Sequence, residues 1–432
     1  MSKIKDLYQE KLTTAEEGIK LVQDGDFLIV PTGVGEPPAL LTALSEHRRE
    51  YHDVKVCQIL PLRKFGYLDP ETVENVRHLA FFLGGPTRAG GQQGWIDYIP
   101  SYFSEMPRMF QDGLFSADTV FALASPMDDF GYFSISLGTD YTIAAIEKAR
   151  TVVLEVNPNV PFANGNNLVH ISKVTAVIED DTPLTEVGLP TIGPVQAAIG
   201  KYVAGLIDDG STIQIGFGAI PDAVVMQLTN KHDLGIHTEM FGDGILTLIE
   251  SGAVTNLKKN YLPGKVVATF ALGSKRLYNF MHRNPQLEMH PVDFTNDPWL
   301  AGKNDNLISI NASMQVDFLG QCCSESMGWT PYSGTGGQAD FVRAANRSKG
   351  GKSFIVLPAT AKDGKISRIT PMLTSGSAIT TSKNDVNYVV TEYGVAQLRG
   401  KSAKQRAQAL IAIAHPDFRE ELTEAAKTMN LI

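Results

Sequence analysis

The chain has 432 residues, 43% of them hydrophobic and 20% charged, with a formal net charge of −9. A surplus of acid argues against a protein built to neutralise phosphate backbones, because non-specific nucleic-acid binding is carried by Lys and Arg. With no apolar stretch of signal-peptide or bilayer-spanning character, the expectation is a cytoplasmic protein with small-molecule partners, neither nucleic acid nor membrane. Only Cys57, Cys322 and Cys323 are present, and the last two are adjacent. They write neither a disulfide framework nor a C-x-x-C site, so no metal is expected.

In chain order, MSKIKDLYQEKL at the N-terminus reads as a polar helix. Apolar, β-rich runs follow at 27–31 (FLIVP), 119–124 (TVFALA), 151–156 (TVVLEV) and 353–357 (SFIVL). They alternate with helical stretches such as 141–149 (YTIAAIEKA), the pattern of an α/β protein with largely parallel, buried strands. The length exceeds what one hydrophobic core serves, which favours two domains of about 200 residues. Internal similarity supports this. Residues 25–44 (GDFLIVPTGVGEPPALLTAL) resemble 210–228 (GSTIQIGFGAIPDAVVMQL), each a Gly-opened strand, a G-x-G turn, a proline and a helix. Further on, 117–156 is echoed by 307–357. Two pairs in one order predict two similar, duplicated α/β domains, 1–185 and 186–432, with the Pro/Thr-rich stretch 182–193 as linker and the active site in the cleft between them.

Glycine clusters mark where backbone can approach a ligand. In STIQIGFGAIPD (211–222) a strand runs into Gly216-Phe217-Gly218 and a Pro-containing helix, a geometry that exposes N–H groups at a helix N-terminus. Pro221 replaces the third glycine of a dinucleotide fingerprint, and a G-x-G turn by itself is also an ordinary strand-to-helix connection. The second cluster is GTGGQADF (334–341), followed by a predicted helix over 339–346. GGKS at 350–353 imitates a phosphate loop, but Asn346 stands five residues before Gly351 and a strand follows. The N-terminal G-x-G, 33–35, is placed in the same cleft by symmetry alone.

Between these clusters, GIHTEMFGDG (235–244) holds one carboxylate, Glu239, at the end of a short apolar run. A plain strand-end acid is one reading. His237-Thr238-Glu239 also fits the His-x-Glu of zinc deaminases, yet those need a later Pro-Cys-x-x-Cys, and the only later cysteines are adjacent. The third reading is a nucleophilic carboxylate in the crevice at the strand ends, flanked by loops able to donate backbone hydrogen bonds.

Several long motifs then carry a resemblance: GIHTEMFGDGILTLIESG (235–252), IGFGAIPDAV (215–224), SGTGGQADFVRAA (333–345), VTEYGVAQLRG (390–400), GQQGWIDYIPSYFSEMP (91–107) and IAHPDFREEL (413–422). Together they resemble the class I coenzyme A transferases over nearly the whole chain. The acetyl-CoA hydrolase/transferase branch is the most similar, notably its 4-hydroxybutyrate and butyryl-CoA:acetate CoA-transferases. The resemblance implies that Glu239 becomes a glutamyl-CoA thioester, with Asn296 orienting it and Gly337, beside Gly336, offering a backbone donor to the oxyanion. It implies coenzyme A binding by Gly216, Phe217, Gly218, Ala219 and Ile220, with Gly336, Gly337, Lys362 and Met314 also at the cofactor and Gly33 and Gln214 at the acyl pocket. A lysine in a turn and a methionine in a core have ordinary explanations too. Coenzyme A enters as a substrate, without metal or ATP. The implied acceptor is 4-hydroxybutyrate, with butyryl-CoA:acetate exchange or hydrolysis by the same residues as alternatives. A homodimer or an assembly of dimers is implied as the oligomeric state.

Overall fold

The computed structural model describes residues 2–216 and 218–432. The polar N-terminal helix is α1 (Ser2–Lys11). The first large sheet has seven strands, β1 (Phe27–Ile29), β2 (Val54–Gln58), β3 (Val76–Ala80), β4 (Asp97–Tyr98), β5 (Thr119–Ala124), β6 (Thr151–Val156) and β7 (Ala176–Glu179). Their spatial order is β7-β6-β5-β1-β2-β3-β4, and every neighbouring pair is parallel. Both faces are covered, so successive strand residues alternate between two cores. Ile29, Val120 and Val152 pack in one core, while Leu28, Phe121 and Val153 pack in the other. Burial on both faces is why these strands read as unbroken apolar runs. The predicted strand at 27–31 stops at Ile29, just before Pro31, which has no N–H to extend the ladder.

The second sheet has six strands: β8 (Thr212–Ile215), β9 (Gly235–Ile236), β10 (Leu307–Ala312), β11 (Lys352–Val356), β12 (Tyr388–Thr391) and β13 (Gly394–Gln397). Its order is β9-β8-β10-β11-β12-β13, parallel except for the β12–β13 hairpin. The two sheets share one topology. In each, the first strand lies inside with the second beside it and a run of three later strands on its other side, so β7-β6-β5-β1-β2 corresponds to β12-β11-β10-β8-β9; β3 and β4 extend the first sheet beyond β2, and β13 extends the second beyond β12. The paired sequence motifs supply β1 with helix α2 (Pro38–Glu46) and β8 with a helix over Ala219–Met226, then β5–β6 with helix α3 (Thr142–Lys148) and β10–β11. The fold is therefore α/β and duplicated, with mostly parallel sheets. Each sheet has its strand-order switch beside its first strand, where open α/β sheets bind ligands at the carboxyl ends.

The stretch 182–193 forms no helix or strand. It is nonetheless tied down: the Tyr278 hydroxyl donates to the Thr185 carbonyl at 2.8 Å, Lys275 N–H to the Glu186 carboxylate at 2.8 Å and Val187 N–H to the Gly273 carbonyl at 3.0 Å. A three-stranded parallel ribbon also joins the halves, pairing 164–165 with 287–289 and 287–289 with 266–268. At that seam Gly165 has φ +114°, and a Cβ there would run into the backbone of Met289. Only glycine fits.

Candidate active site

Residues 235–241 pass from one sheet to another. β9 pairs with β8 at the edge of the six-stranded sheet, His237 bridges to Val267, and Met240–Phe241 pair with Phe270–Ala271 in a separate ribbon. Glu239 stands at the crossing. Its carbonyl accepts from Thr269 N–H at 3.0 Å, and Thr238 N–H donates to the Val267 carbonyl at 3.0 Å. The Thr238 hydroxyl lies 3.3 Å from both the N–H and the carbonyl of Ile215 at the end of β8. Since side chains alternate along extended chain, anchoring Thr238 toward β8 turns Glu239 the other way.

There the carboxyl meets two groups. Asn296, fully buried, donates from Nδ2 to Glu239 Oε2 at 2.7 Å. Gly337 comes so close that a Cβ on it would fall on Glu239 Oε2 and on Asn296 Nδ2. Glu239 keeps part of its surface open, yet loss of hydration at the carboxyl raises its pKa to about 7, a rise only partly opposed by the Asn296 bond. His237, on the same strand, is held neutral, its pKa pushed down to about 3 chiefly by burial. With its proton assigned to Nε2, the ring donates to the Thr295 carbonyl at 2.8 Å and accepts at Nδ1 from Asn304 at 3.4 Å. The turn that carries Asn296 is thus pinned to the strand that carries Glu239, and both nitrogens of the His-x-Glu histidine have protein partners.

Gly337 caps helix α6 (Gln338–Arg347), numbered after α4 (Ala219–Met226) and α5 (Asp243–Glu250). The predicted helix at 339–346 falls inside α6, and the turn after Glu239 leads into α5. Asp340, in the first turn of α6, is a second buried carboxyl, raised to about 7 by desolvation, with ionised Glu239 adding to the rise and Ser104 and Arg343 opposing it.

The remaining sequence candidates are placed as follows. A Cβ on Gly216 would sit 3.2 Å from Asn311 Oδ1, so the chain passes close over the end of β10. Gly218, at φ +130°, caps α4, which Ala219 and the buried Ile220 begin. Phe217 lies outside the described residues. Gln214 is buried, and its carboxamide pairs reciprocally with Asn311, at 3.1 Å from Asn311 Nδ2 to Gln214 Oε1 and 3.4 Å in the opposite sense. Gly33, at φ +60°, opens a turn over 33–35 with empty space where its Cβ would be. That turn is linked to the site in three steps: Thr32 N–H to Asp140 Oδ2 at 2.9 Å, Asp140 N–H to the Thr269 carbonyl at 3.3 Å, and Thr269 N–H to Glu239. Met314 is half-buried, and its carbonyl accepts from Arg368 at 3.2 Å. Lys362, at φ +48°, is exposed on the turn of the hairpin that pairs 360–361 with 366–367.

Sequence reading had no sign of Asn311, Ser104 or Asp340. The acid three places after Gly337 reads as an ordinary first-turn helix residue, and Ser104 lies 236 residues away from its partner.

A duplicated α/β chain that sets a strand-crossing carboxylate against a glycine at a helix N-terminus offers the parts of a group-transfer site. Comparison with known proteins makes this specific. Residues 1–187 match the acetyl-CoA hydrolase/transferase N-terminal domain, and residues 273–426 match the C-terminal domain of the same family. The chain is 51% identical over 425 residues to a succinyl-CoA:cyclohexane-1-carboxylate CoA transferase of Geobacter metallireducens, covering 98% of this chain and 97% of that one. It is 45% identical over 422 residues to a 4-hydroxybutyrate coenzyme A transferase of Clostridium kluyveri, covering 98% of each. RipA from Yersinia pestis superposes with a TM-score of 0.94 at 39% identity, over 99% of this chain and 100% of that one. A 4-hydroxybutyrate CoA-transferase from Porphyromonas gingivalis gives 0.86 at 39% identity, over 98% and 99%. The chain belongs to the acetyl-CoA hydrolase/transferase family and is a CoA-transferase.

Proposed function

We propose that this enzyme moves coenzyme A between an acyl-CoA and a carboxylic acid through a covalent thioester on Glu239. A Glu239 oxygen attacks the acyl carbonyl, the tetrahedral oxyanion collapses, the C–S bond breaks, and coenzyme A leaves as thiolate from a mixed anhydride. The thiolate attacks the Glu239 carbonyl, breaking the anhydride C–O bond and freeing the first carboxylate. The incoming acid reverses both steps, so thioester energy is kept without ATP, and ping-pong kinetics follow. The observation that carries this reading is the closeness of Gly337 to the Glu239 carboxyl, which puts main chain without a side chain beside the nucleophile; in this reading that main chain donates to the oxyanion. A well-aimed donor of this kind is worth about 3–4 kcal/mol.

In the same reading, residues 216–220 with Met314 and Lys362 hold coenzyme A, and the Gly33 turn and Gln214 border the acyl group. The units of the reaction are 1–185 and 186–432, working as a homo-oligomer in the cytoplasm. No helix among the described residues is long and apolar enough to cross a membrane. For the acceptor, the resemblance favours 4-hydroxybutyrate with acetyl-CoA as donor. The 51% identity to an enzyme named for succinyl-CoA and cyclohexane-1-carboxylate favours a cyclic acid as the second reading. A panel of acids assayed with acetyl-CoA and succinyl-CoA separates the two by kcat/KM.

The mechanism is tested by mixing enzyme with acyl-CoA without acceptor and mapping Glu239 by mass spectrometry with and without borohydride. Coenzyme A on Glu239 is expected without borohydride, and with it a Glu239 side chain reduced to the primary alcohol as coenzyme A leaves as free thiol; an unmodified Glu239 in both overturns the mechanism.

Activity also follows the ionisation of Glu239, which must be a carboxylate to attack. Its pKa near 7 means that kcat/KM falls about tenfold per pH unit on the acid side of that value. The Asn296 bond favours the charged form, so Asn296→Ala raises the proton affinity of Glu239 and moves the acid limb up by about one pH unit. A pH–rate profile of the variant that superposes on the native one would contradict the assigned contact.

A further inference from the structure

The Gly337 loop belongs to the C-terminal half, but the N-terminal half holds it. Leu83 N–H donates to the Ser333 carbonyl at 3.1 Å, and Phe103 N–H donates to the Gly336 carbonyl at 3.2 Å. A Cβ on Gly334 would strike the backbone at Phe81 and Phe82, so the loop lies flat against that segment. One helical turn into α6, Arg343 donates to the Tyr102 hydroxyl at 3.1 Å and stacks over its ring at 4.9 Å.

Asp340 sits at the centre of this seam. Three residues after Gly337, it falls on the same side of the first turn. Its side chain reaches across the cleft, Oδ2 accepting from Ser104 N–H at 3.2 Å and Oδ1 from the Ser104 hydroxyl at 2.9 Å. The residue is 2% exposed, and a carboxyl is an expensive group to bury where an apolar contact would hold two surfaces together. What it supplies that an apolar contact does not is direction, with two hydrogen bonds to one residue fixing the rotation and height of the α6 first turn. Glu239 and Asn296 lie on other segments, so Gly337 meets them only as accurately as α6 is placed.

We propose that Asp340 is a positioning residue: gripped by Ser104 of the N-terminal half, it sets the first turn of α6 so that Gly337 is aligned on Glu239. The catalytic site is then completed by a contact between the two halves of the chain, and a displacement of about 1 Å at such a site costs on the order of 100-fold in rate. This inference rests on the assignment of Glu239 and Gly337 made above.

The test uses Ser104→Ala, Asp340→Asn, their double variant and Ser104→Thr in the full-length enzyme. Ser104→Ala and Asp340→Asn should each lower kcat by about 10- to 100-fold, with KM for acyl-CoA within about twofold of native, because alignment rather than binding is lost. The double variant should be no slower than the slower single one, as expected of two groups acting through one contact. Ser104→Thr, which keeps the hydroxyl, should recover most of the loss, and Ser104→Ala alone remains decisive if Asp340→Asn does not fold. Unchanged kcat, a loss confined to KM, or effects that multiply would each overturn the proposal. Failure of the native enzyme to form an adduct at Glu239 would instead remove the nucleophile assignment, while kcat and the double variant still read the clamp.

Discussion

Replacing Glu239 by Gln is expected to lower CoA exchange by on the order of 10⁴-fold or more, the scale at which loss of a covalent nucleophile is felt. Gln has the same shape, and its Oε1 can accept the hydrogen bond that Asn296 gives to the carboxyl at 2.7 Å. It cannot attack an acyl carbon to form an anhydride. Burial holds the native carboxyl at a pKa of about 7, so its ionised form is costly to keep, and a neutral amide relieves that cost. The variant should therefore unfold no more easily than native enzyme and bind acyl-CoA with little change, while adduct formation disappears. Steady-state exchange, thermal unfolding and mass spectrometry check these three points. Exchange within tenfold of native would show that another group carries coenzyme A.

Gly337→Ala should be nearly as damaging, with kcat reduced by about 10²- to 10³-fold, the cost of losing one oxyanion donor. The reason is space, because Gly337 has a negative φ of −96°, which is open to alanine. Its added methyl would overlap Glu239 Oε2 and Asn296 Nδ2, so either the Asn296–Glu239 bond opens or the start of α6 moves. Gly336→Ala makes the contrasting case. Gly336 has φ +55° and its nearest neighbours are Phe82 ring atoms at 3.6 and 3.8 Å, so alanine there meets backbone strain of about 1–2 kcal/mol but no overlap with the carboxyl. Stability should fall in Gly336→Ala and catalysis in Gly337→Ala, read by thermal unfolding beside single-turnover adduct formation. Native rates in Gly337→Ala would show that the approach to Glu239 is not what the reaction needs.

The duplicated architecture was legible because each half repeats a local pattern: a strand buried on both faces, a glycine turn without Cβ atoms and a helix. Such patterns survive in sequence wherever the same local conformations recur. β5 and β6 lie at the residues the apolar runs marked, 119–124 and 151–156. The position of Glu239 was legible as an acid between an apolar run and a Gly-Asp-Gly turn, but the local pattern left three readings open and only the resemblance pointed to a nucleophile. Its description as a strand end needed amendment, because the chain crosses there from β9 to a second ribbon. Asn296 came only from resemblance, its surrounding motif being too short to carry a reason of its own. The pairing of the Gln214 amide with Asn311, a partner 97 residues away, has no local sign in the sequence.

By itself, then, the sequence determined the α/β class and the duplication, since both follow from periodicity and from the turns that glycine and proline favour, and it marked Glu239 through resemblance. Tertiary structure decided how that acid is equipped. The Asn296 donor, the neutral His237 behind it, the raised proton affinity of Glu239 and the Ser104–Asp340 grip across the halves all come from groups brought together over long sequence separations. Hydrogen bonding and desolvation act over a few ångströms, so their effects belong to the folded neighbourhood, which no local stretch of this chain encodes.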